Sequence, residues 1–305
     1  MKINRFLCLI IAAVMIFAGC GQRQEAFSSS SEPESSAPPI VIKPEVSEPA
    51  LVEPEVEDRP ALSMTADFLK LSELPNEGVI WGPGTHKDEL GRSIACEGLQ
   101  NEYGERFGAY FIGPEDEKTV TLSFDQGYEN GYTPAILDTL KEKNVQAIFF
   151  LTGHYLRTQP ELVQRMIDEG HILGNHSDNH KVYCIDISAE ESREDALYMQ
   201  EALRNDFDYE MRLFRFPEGE FSEQSLALMQ EMGYTSVFWS FAYADWDPNN
   251  QPEPEAAKEK ILSYVHPGEI MLLHSVSSTN AQILGDVIDS IRDMGYEVGV
   301  LEELK

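Results

Sequence analysis

The sequence predicts an α/β fold, a distorted and incomplete (β/α) barrel of about seven parallel strands preceded by an N-terminal extension. Two observations carry this expectation. From about Lys118 onward, short β-rich runs alternate with amphipathic helical stretches, the pattern of a parallel sheet whose strands are joined by helices. Six strand ends in succession also carry a reactive side chain, and all are carboxyl ends. A barrel collects such ends on one rim, whereas an open doubly wound sheet gathers its ligand at a single switch point.

The elements follow in chain order. Lys2 and Arg5 precede an apolar run from Phe6 to Ala18, too short for a comfortable membrane span but suited to a secretory signal over residues 1–19. The run ends in Phe17-Ala18-Gly19-Cys20, which resembles a bacterial lipobox, although Phe17 replaces the usual Leu. Cys20 is therefore the expected lipidation site, and acyl chains there would anchor the exported chain at the outer face of the membrane. Residues 20–62 hold the lipidated cysteine and a segment rich in Ser, Pro, Glu and Ala. With prolines from Pro33 to Pro60 and mutually repelling glutamates, this stretch reads as a solvated tether. Residues 63–117 form the extension packed on the barrel, and 118–305 the barrel domain itself.

Candidate strands run from Thr119 to Phe124, Ala147 to Leu151, His171 to Gly174, Arg212 to Phe216, Ser236 to Phe241, Glu269 to Leu273 and Tyr296 to Leu301. Helix signals fall between them. Thr133-Pro134 reads as an N-cap with proline at the first helical position, Ser188 with Glu191 as a capping box, and Gly170, Gly233 and Gly295 as C-terminal stops. Across 305 residues, 53 Asp and Glu outweigh 23 Lys and Arg, a net charge of −30 that excludes nucleic acid as a natural partner. The 42% of hydrophobic residues suffices for a substantial core.

On this framework Asp125 follows the first barrel strand, His154 the second, and His176 and His180 the third. Arg215 lies near the end of the fourth, Asp245 follows the fifth, and His274 ends the sixth. His176 and His180, four apart, would share one face of a helical turn, a spacing that lets both hold one divalent metal. Alone, the pair fits a solvated loop equally well. Cys96 and Cys184 are candidates for a disulfide in an oxidising compartment. Cys184, four residues past His180, is either a further metal ligand or a buried loop thiol.

Taken together, Ser123-Phe124-Asp125-Gln126-Gly127, His176-Ser177-Asp178-Asn179-His180, Arg215-Phe216-Pro217-Glu218-Gly219, Asp245-Trp246 and Leu272-Leu273-His274 resemble, in order and spacing, the polysaccharide deacetylase (NodB-homology) superfamily over residues 118–304. Longer strings, among them Phe124 to Thr133 and Val237-Phe238-Trp239-Ser240, are similar to the delta-lactam-biosynthetic peptidoglycan de-N-acetylases. Trp81-Gly82 and the region up to Gly113-Pro114 resemble the extension of that subgroup.

The resemblance implies a metal-dependent hydrolase that removes acetyl from N-acetylmuramic acid in the peptidoglycan glycan strand. In that subgroup the product leads to muramic delta-lactam. Amide hydrolysis needs an activated water, a stabilised oxyanion and a proton for the departing amine. By resemblance, Asp125 is the base, His274 the acid, Arg215 the partner that holds Asp125 ionised, and Asp245 the partner that supports protonated His274. Trp246 would shield that pair from water, a backbone N–H near Glu218 would receive the oxyanion, and His154 is a candidate substrate contact. The cofactor is a divalent ion, with zinc expected, on His176 and His180. Where most of the superfamily has a second Asp as third ligand, this chain has Gln126, a neutral and weaker donor. That departure favours one rival, a catalytically weak glycan-binding lipoprotein; the other alternative, an N-acetylglucosamine deacetylase, follows from the resemblance, since the same fold elsewhere acts on that sugar.

Overall fold

The computed structural model describes residues 62–305, so the signal, Cys20 and all of the tether except Leu62 lie outside the described residues. The extension contributes helices α1 (Phe68–Leu71), α2 (Ile94–Leu99) and α3 (Glu105–Phe107), with strands β1 (Val79–Ile80) and β2 (Ala109–Tyr110). The barrel domain then alternates β3 (Thr119–Gln126), α4 (Thr133–Glu142), β4 (Ile148–Leu151), α5 (Gly153–Thr158), α6 (Pro160–Asp168), β5 (Ile172–Asn175), α7 (Ala189–Phe207) and β6 (Leu213–Phe214). It continues with β7 (Glu220–Phe221), α8 (Glu223–Met232), β8 (Thr235–Val237), α9 (Pro254–Leu262), β9 (Glu269–His274), α10 (Ser278–Asp293) and β10 (Glu297–Val298).

Eight strands form one sheet in which every pairing is parallel, ordered β10-β3-β4-β5-β6-β8-β2 with β9 also on β3. Seven of them belong to residues 118–305, as expected from the sequence. The eighth, β2, comes from the extension and had no sequence assignment; two residues are too short to show a period. Past β8 the chain changes partner: Phe241 bridges to Met271, and Ser240 N–H donates to the Ile270 carbonyl at 2.9 Å. The expected strand from Ser236 to Phe241 is thereby split between two neighbours, and the second half curls the sheet back onto β9.

Pleat alternation divides the core. Phe124, Phe149 and Leu151 pack with Ile136, Val163 and Met166 of the surrounding helices, while Ile148, Phe150, Val237 and Ile270 form the separate interior cluster. Strand β4 is buried on both faces, hence its unbroken Ile-Phe-Phe-Leu run. The extension adds to this core: Trp81 Nε1 donates to the Trp239 carbonyl (3.1 Å), and the Phe111 ring stacks on Phe238 with centroids 4.2 Å apart. Each fully buried ring of this kind stabilises the fold by roughly 1.5–3 kcal/mol.

The capping box of Ser188 and Glu191 forms as expected, and Gly170, Gly233 and Gly295 all take positive φ at helix ends. The start of α4 differs by one residue. Tyr132 is the N-cap, Thr133 is already helical, and the Glu129 carboxylate accepts from Gly131 N–H and Thr133 N–H at 2.5 and 3.3 Å. A carboxylate reaching forward from the loop satisfies the open amides better than the Thr133 hydroxyl. Cys96 and Cys184 are not paired: both are free and buried, and burial pushes each thiol up to about 12. Cys184 is thus the inert loop thiol of the two readings.

Candidate active site

The rim is built around one register. Asp125 on β3 and His274 on β9 are directly paired residues of the parallel ladder, so their side chains emerge side by side at the carboxyl ends of the two strands. Arg215, one residue past β6, reaches Asp125 from across the interior. Its guanidinium is completely buried, with one Nη donating to Asp125 Oδ1 (2.9 Å), the other to the Phe238 carbonyl (3.0 Å) and Nε to the Val237 carbonyl (3.0 Å). Its face lies 4.1 Å from the centre of the Phe150 ring. Three donors and one face are engaged at once, which lysine could not reproduce. Burial pushes Asp125 up, but the charge of Arg215, followed by those of His176 and His274, outweighs it and leaves Asp125 below its ordinary range.

A second buried pair faces it. Asp245 is fully buried and accepts from His274 Nδ1 (2.7 Å), His274 N–H (2.8 Å) and Asn280 Nδ2 (2.6 Å). Burial alone would lower His274, yet the hydrogen bond and charge of Asp245 raise it above the usual imidazole value. Trp246, more than half exposed, places its ring edge-on to His274 with centroids 6.2 Å apart. It covers one side of the imidazole without sealing it.

His176 and His180 are brought together, but not by a helix as their spacing suggests. Ser177 and His180 both take left-handed backbone conformations (φ 66° and 54°), and the turn is tied by Ser177 N–H to Asn175 Oδ1 and His180 N–H to Ser177 Oγ. Side-chain hydrogen bonds thus replace helical ones. The two rings stand 5.0 Å apart, His176 buried and His180 exposed.

His176 Nδ1 lies 2.8 Å from the Arg215 carbonyl, which requires a proton on that nitrogen, and burial lowers the ring's pKa to about 4. Nε2 is therefore a bare acceptor, and it faces another acceptor, Asp125 Oδ2, at 3.6 Å. Two lone pairs opposed in a buried site fit a cation between them. Gln126 is also buried; its Nε2 donates to Ser275 Oγ (2.6 Å), while Oε1 has no hydrogen-bond partner, a second atom that suits a metal. Among the described residues no group of three or more His, Cys, Asp or Glu is arranged to hold an ion, and the atoms that suit one here are His176 Nε2, Asp125 Oδ2 and the Gln126 amide oxygen.

Of the remaining expected residues, Glu218 sits on a short turn, Pro217–Gly219, in a left-handed conformation (φ 59°) that costs a non-glycine residue about 1–3 kcal/mol. The following Gly219 is required there: it has φ 68°, and a Cβ on it would strike the Trp239 ring at 2.6 Å. His154 is exposed at the start of α5, and its side chain makes none of the hydrogen bonds or ion pairs that join the other rim residues. Sequence reading missed Asn280, Tyr243 and Ser275. Their only sequence signal is proximity to a strand end or helix start, which does not separate them from ordinary capping residues.

Residues 112–237 match the family model described as polysaccharide deacetylase. The chain is similar to the peptidoglycan-N-acetylmuramic acid deacetylase PdaA of Bacillus subtilis, with 39% identity over 232 residues, or 76% of this chain and 87% of that one. It is 32% identical over 187 residues to a peptidoglycan-N-acetylglucosamine deacetylase of Bacillus cereus, covering 61% of this chain and 66% of that one. The solved structure of Bacillus subtilis PdaA, described as a family 4 carbohydrate esterase, matches with a TM-score of 0.71 and 38% identity, covering 76% of this chain and 98% of that one. Shared barrel topology does not by itself carry sequence identity of this level through most of two chains, and the protein therefore belongs to the polysaccharide deacetylase family.

Proposed function

We propose that this protein is a hydrolase that removes the N-acetyl group from N-acetylmuramic acid residues of peptidoglycan. The observation that carries the reading is the register pairing of Asp125 with His274, each with its own buried partner of opposite charge. One group is kept ionised to take a proton and its neighbour is kept protonated to give one, as hydrolysis of an amide demands. Asp125 accepts the proton of the attacking water, with Arg215 holding the carboxylate in place. His274 delivers a proton from Nε2 to the departing sugar nitrogen, while Asp245 holds Nδ1–H and supports the imidazolium. Trp246 limits water at that face, and the strained turn at Glu218 offers a backbone N–H to the developing oxyanion.

His176 and His180 would hold a divalent metal, zinc by expectation, with Gln126 Oε1 as a further candidate donor. Such an ion, when bound, polarises the acetyl carbonyl and acidifies water. His154 is a rim residue proposed to contact the glycan. The N-terminal sequence supports export, lipidation at Cys20 and a tether that lets the domain reach glycan from the membrane face. The product suits formation of muramic delta-lactam, which would place the activity in spore-cortex synthesis.

The glucosamine deacetylase of Bacillus cereus among the relatives favours a second reading, with N-acetylglucosamine as the substrate sugar. Incubating the purified protein with peptide-free peptidoglycan glycan, with and without added zinc, tests both by acetate release and mass spectrometry of digested glycan. Deacetylated muramic acid is the expected product. Deacetylated glucosamine alone would replace the substrate assignment, and glycan binding without acetate release would replace catalysis by binding.

A further inference from the structure

We propose that Asn280 is the positioning residue of the His274–Asp245 pair: its amide, held between Tyr243 and Asp245, sets the carboxylate and thereby the orientation of the imidazole. The proposal rests on the reading of His274 as the proton donor. Asn280 is the third residue of α10, 1% exposed, and Ser277 Oγ accepts from its backbone N–H at 3.0 Å. Its Nδ2 donates to Asp245 Oδ2 (2.6 Å) and to the His274 carbonyl (3.1 Å), and its Oδ1 accepts from the Tyr243 hydroxyl. Two acceptors on one side and a phenol on the other admit a single orientation of the amide. Burial raises the Tyr243 phenol well above its ordinary value, which keeps it a donor.

The same helix start is clipped to the same loop a second time. Gln251 Nε2 donates to the Asp245 and Asp247 carbonyls (2.8 Å each), and Ser277 Oγ donates to Gln251 Oε1. Gln251 ties two backbone carbonyls and a serine hydroxyl, whereas Asn280 alone in this pair of clips reaches the carboxylate. An amide is also a neutral donor: it fixes Asp245 without cancelling the charge that supports the imidazolium. A cationic side chain in its place would compete with His274, and an apolar one would leave Asp245 Oδ2 with one donor in a buried site. The charged groups around His274 are Asp245, Asp125 and Arg215, so a displaced Asp245 carboxylate shifts the balance among all three.

The test compares wild type with Asn280→Leu, Asn280→Asp and Tyr243→Phe, using kcat and KM across pH and an NMR titration of the His274 ring. Asn280→Leu removes the donor and keeps the shape; it should lower kcat by about 10–100-fold, the size of effect seen when an orienting partner is lost, with KM nearly unchanged. Both Asn280 variants leave the Asp245 charge less satisfied, so the His274 titration and the basic limb of kcat should move to higher pH, further for Asn280→Asp. Tyr243→Phe should give a smaller change in the same direction. If Asn280→Leu does not fold, the nearly isosteric Asn280→Asp and Tyr243→Phe carry the test alone. An unshifted His274 titration in all folded variants would overturn the proposal, even with activity lost, since a purely structural role predicts that result. If wild type releases no acetate while the titration shifts as stated, the positioning stands and the hydrolase reading fails.

Discussion

Replacing Arg215 with Met removes the guanidinium while keeping most of the stem volume, and its consequences follow from the two directions in which Asp125 is pulled. In the wild type the charge and hydrogen bond of Arg215, together with the charges of His176 and His274, outweigh burial and hold Asp125 below its ordinary value of 3.8. A carboxylate depressed in this way adds stability that is present above the unfolded value and lost as pH falls through the folded one. Without Arg215 burial prevails and the folded value rises above 3.8, so the variant instead loses stability as pH rises through that window. The pH-dependent part of the difference between the proteins should therefore be small near pH 4 and grow to about 3–5 kcal/mol near pH 7, the cost of leaving one member of a buried ion pair alone. Val237 and Phe238 carbonyls, each 3.0 Å from the guanidinium, lose their donors at every pH and add a constant part. Denaturant titrations at the two pH values measure the difference, and acetate release across pH should show the acid limb moved to higher pH. A stability loss independent of pH, together with an unmoved acid limb, would refute the electrostatic account of Asp125.

Asp125→Asn and His274→Ala should each reduce acetate release by about 10²–10⁴-fold without unfolding the barrel, because each deletes one proton transfer; near-normal release from either would reassign that residue. Glu269, buried at the start of β9, is pushed up to about 8 by burial against an ordinary 4.5, so the folded state favours its protonated form and stability falls as pH rises between those values. Glu269→Gln, a mimic of that form, should be more stable than wild type near pH 7 by up to about 3 kcal/mol and lose the advantage near pH 4 in denaturant titrations. His176→Ala should abolish any zinc-induced rise in melting temperature, and Gln126→Asp should enlarge it by adding a charged oxygen. Equal zinc affinity of wild type and Gln126→Asp in calorimetry would remove Gln126 from the donor set.

Local pattern carried much of the architecture. The run from Ala147 to Leu151 announced a strand, Ser188 and Glu191 announced the start of α7, and reactive side chains at successive strand ends announced a rim. Each is a property of neighbours within a few residues, where strand and helix periods and amide capping act. Tertiary structure decided what met what on that rim. Asp125 and Arg215 stand 90 residues apart in the chain, and only curling of the sheet points one at the other. The histidine pair met through a left-handed loop instead of a helical turn, and Gln126 found Ser275 across 149 residues. Asn280 looked like any residue in the first turn of a helix until α10 was laid beside the loop of Asp245. Such contacts leave no period in the sequence, because they are set by the closure of the barrel, which brings residues distant along the chain within hydrogen-bond reach.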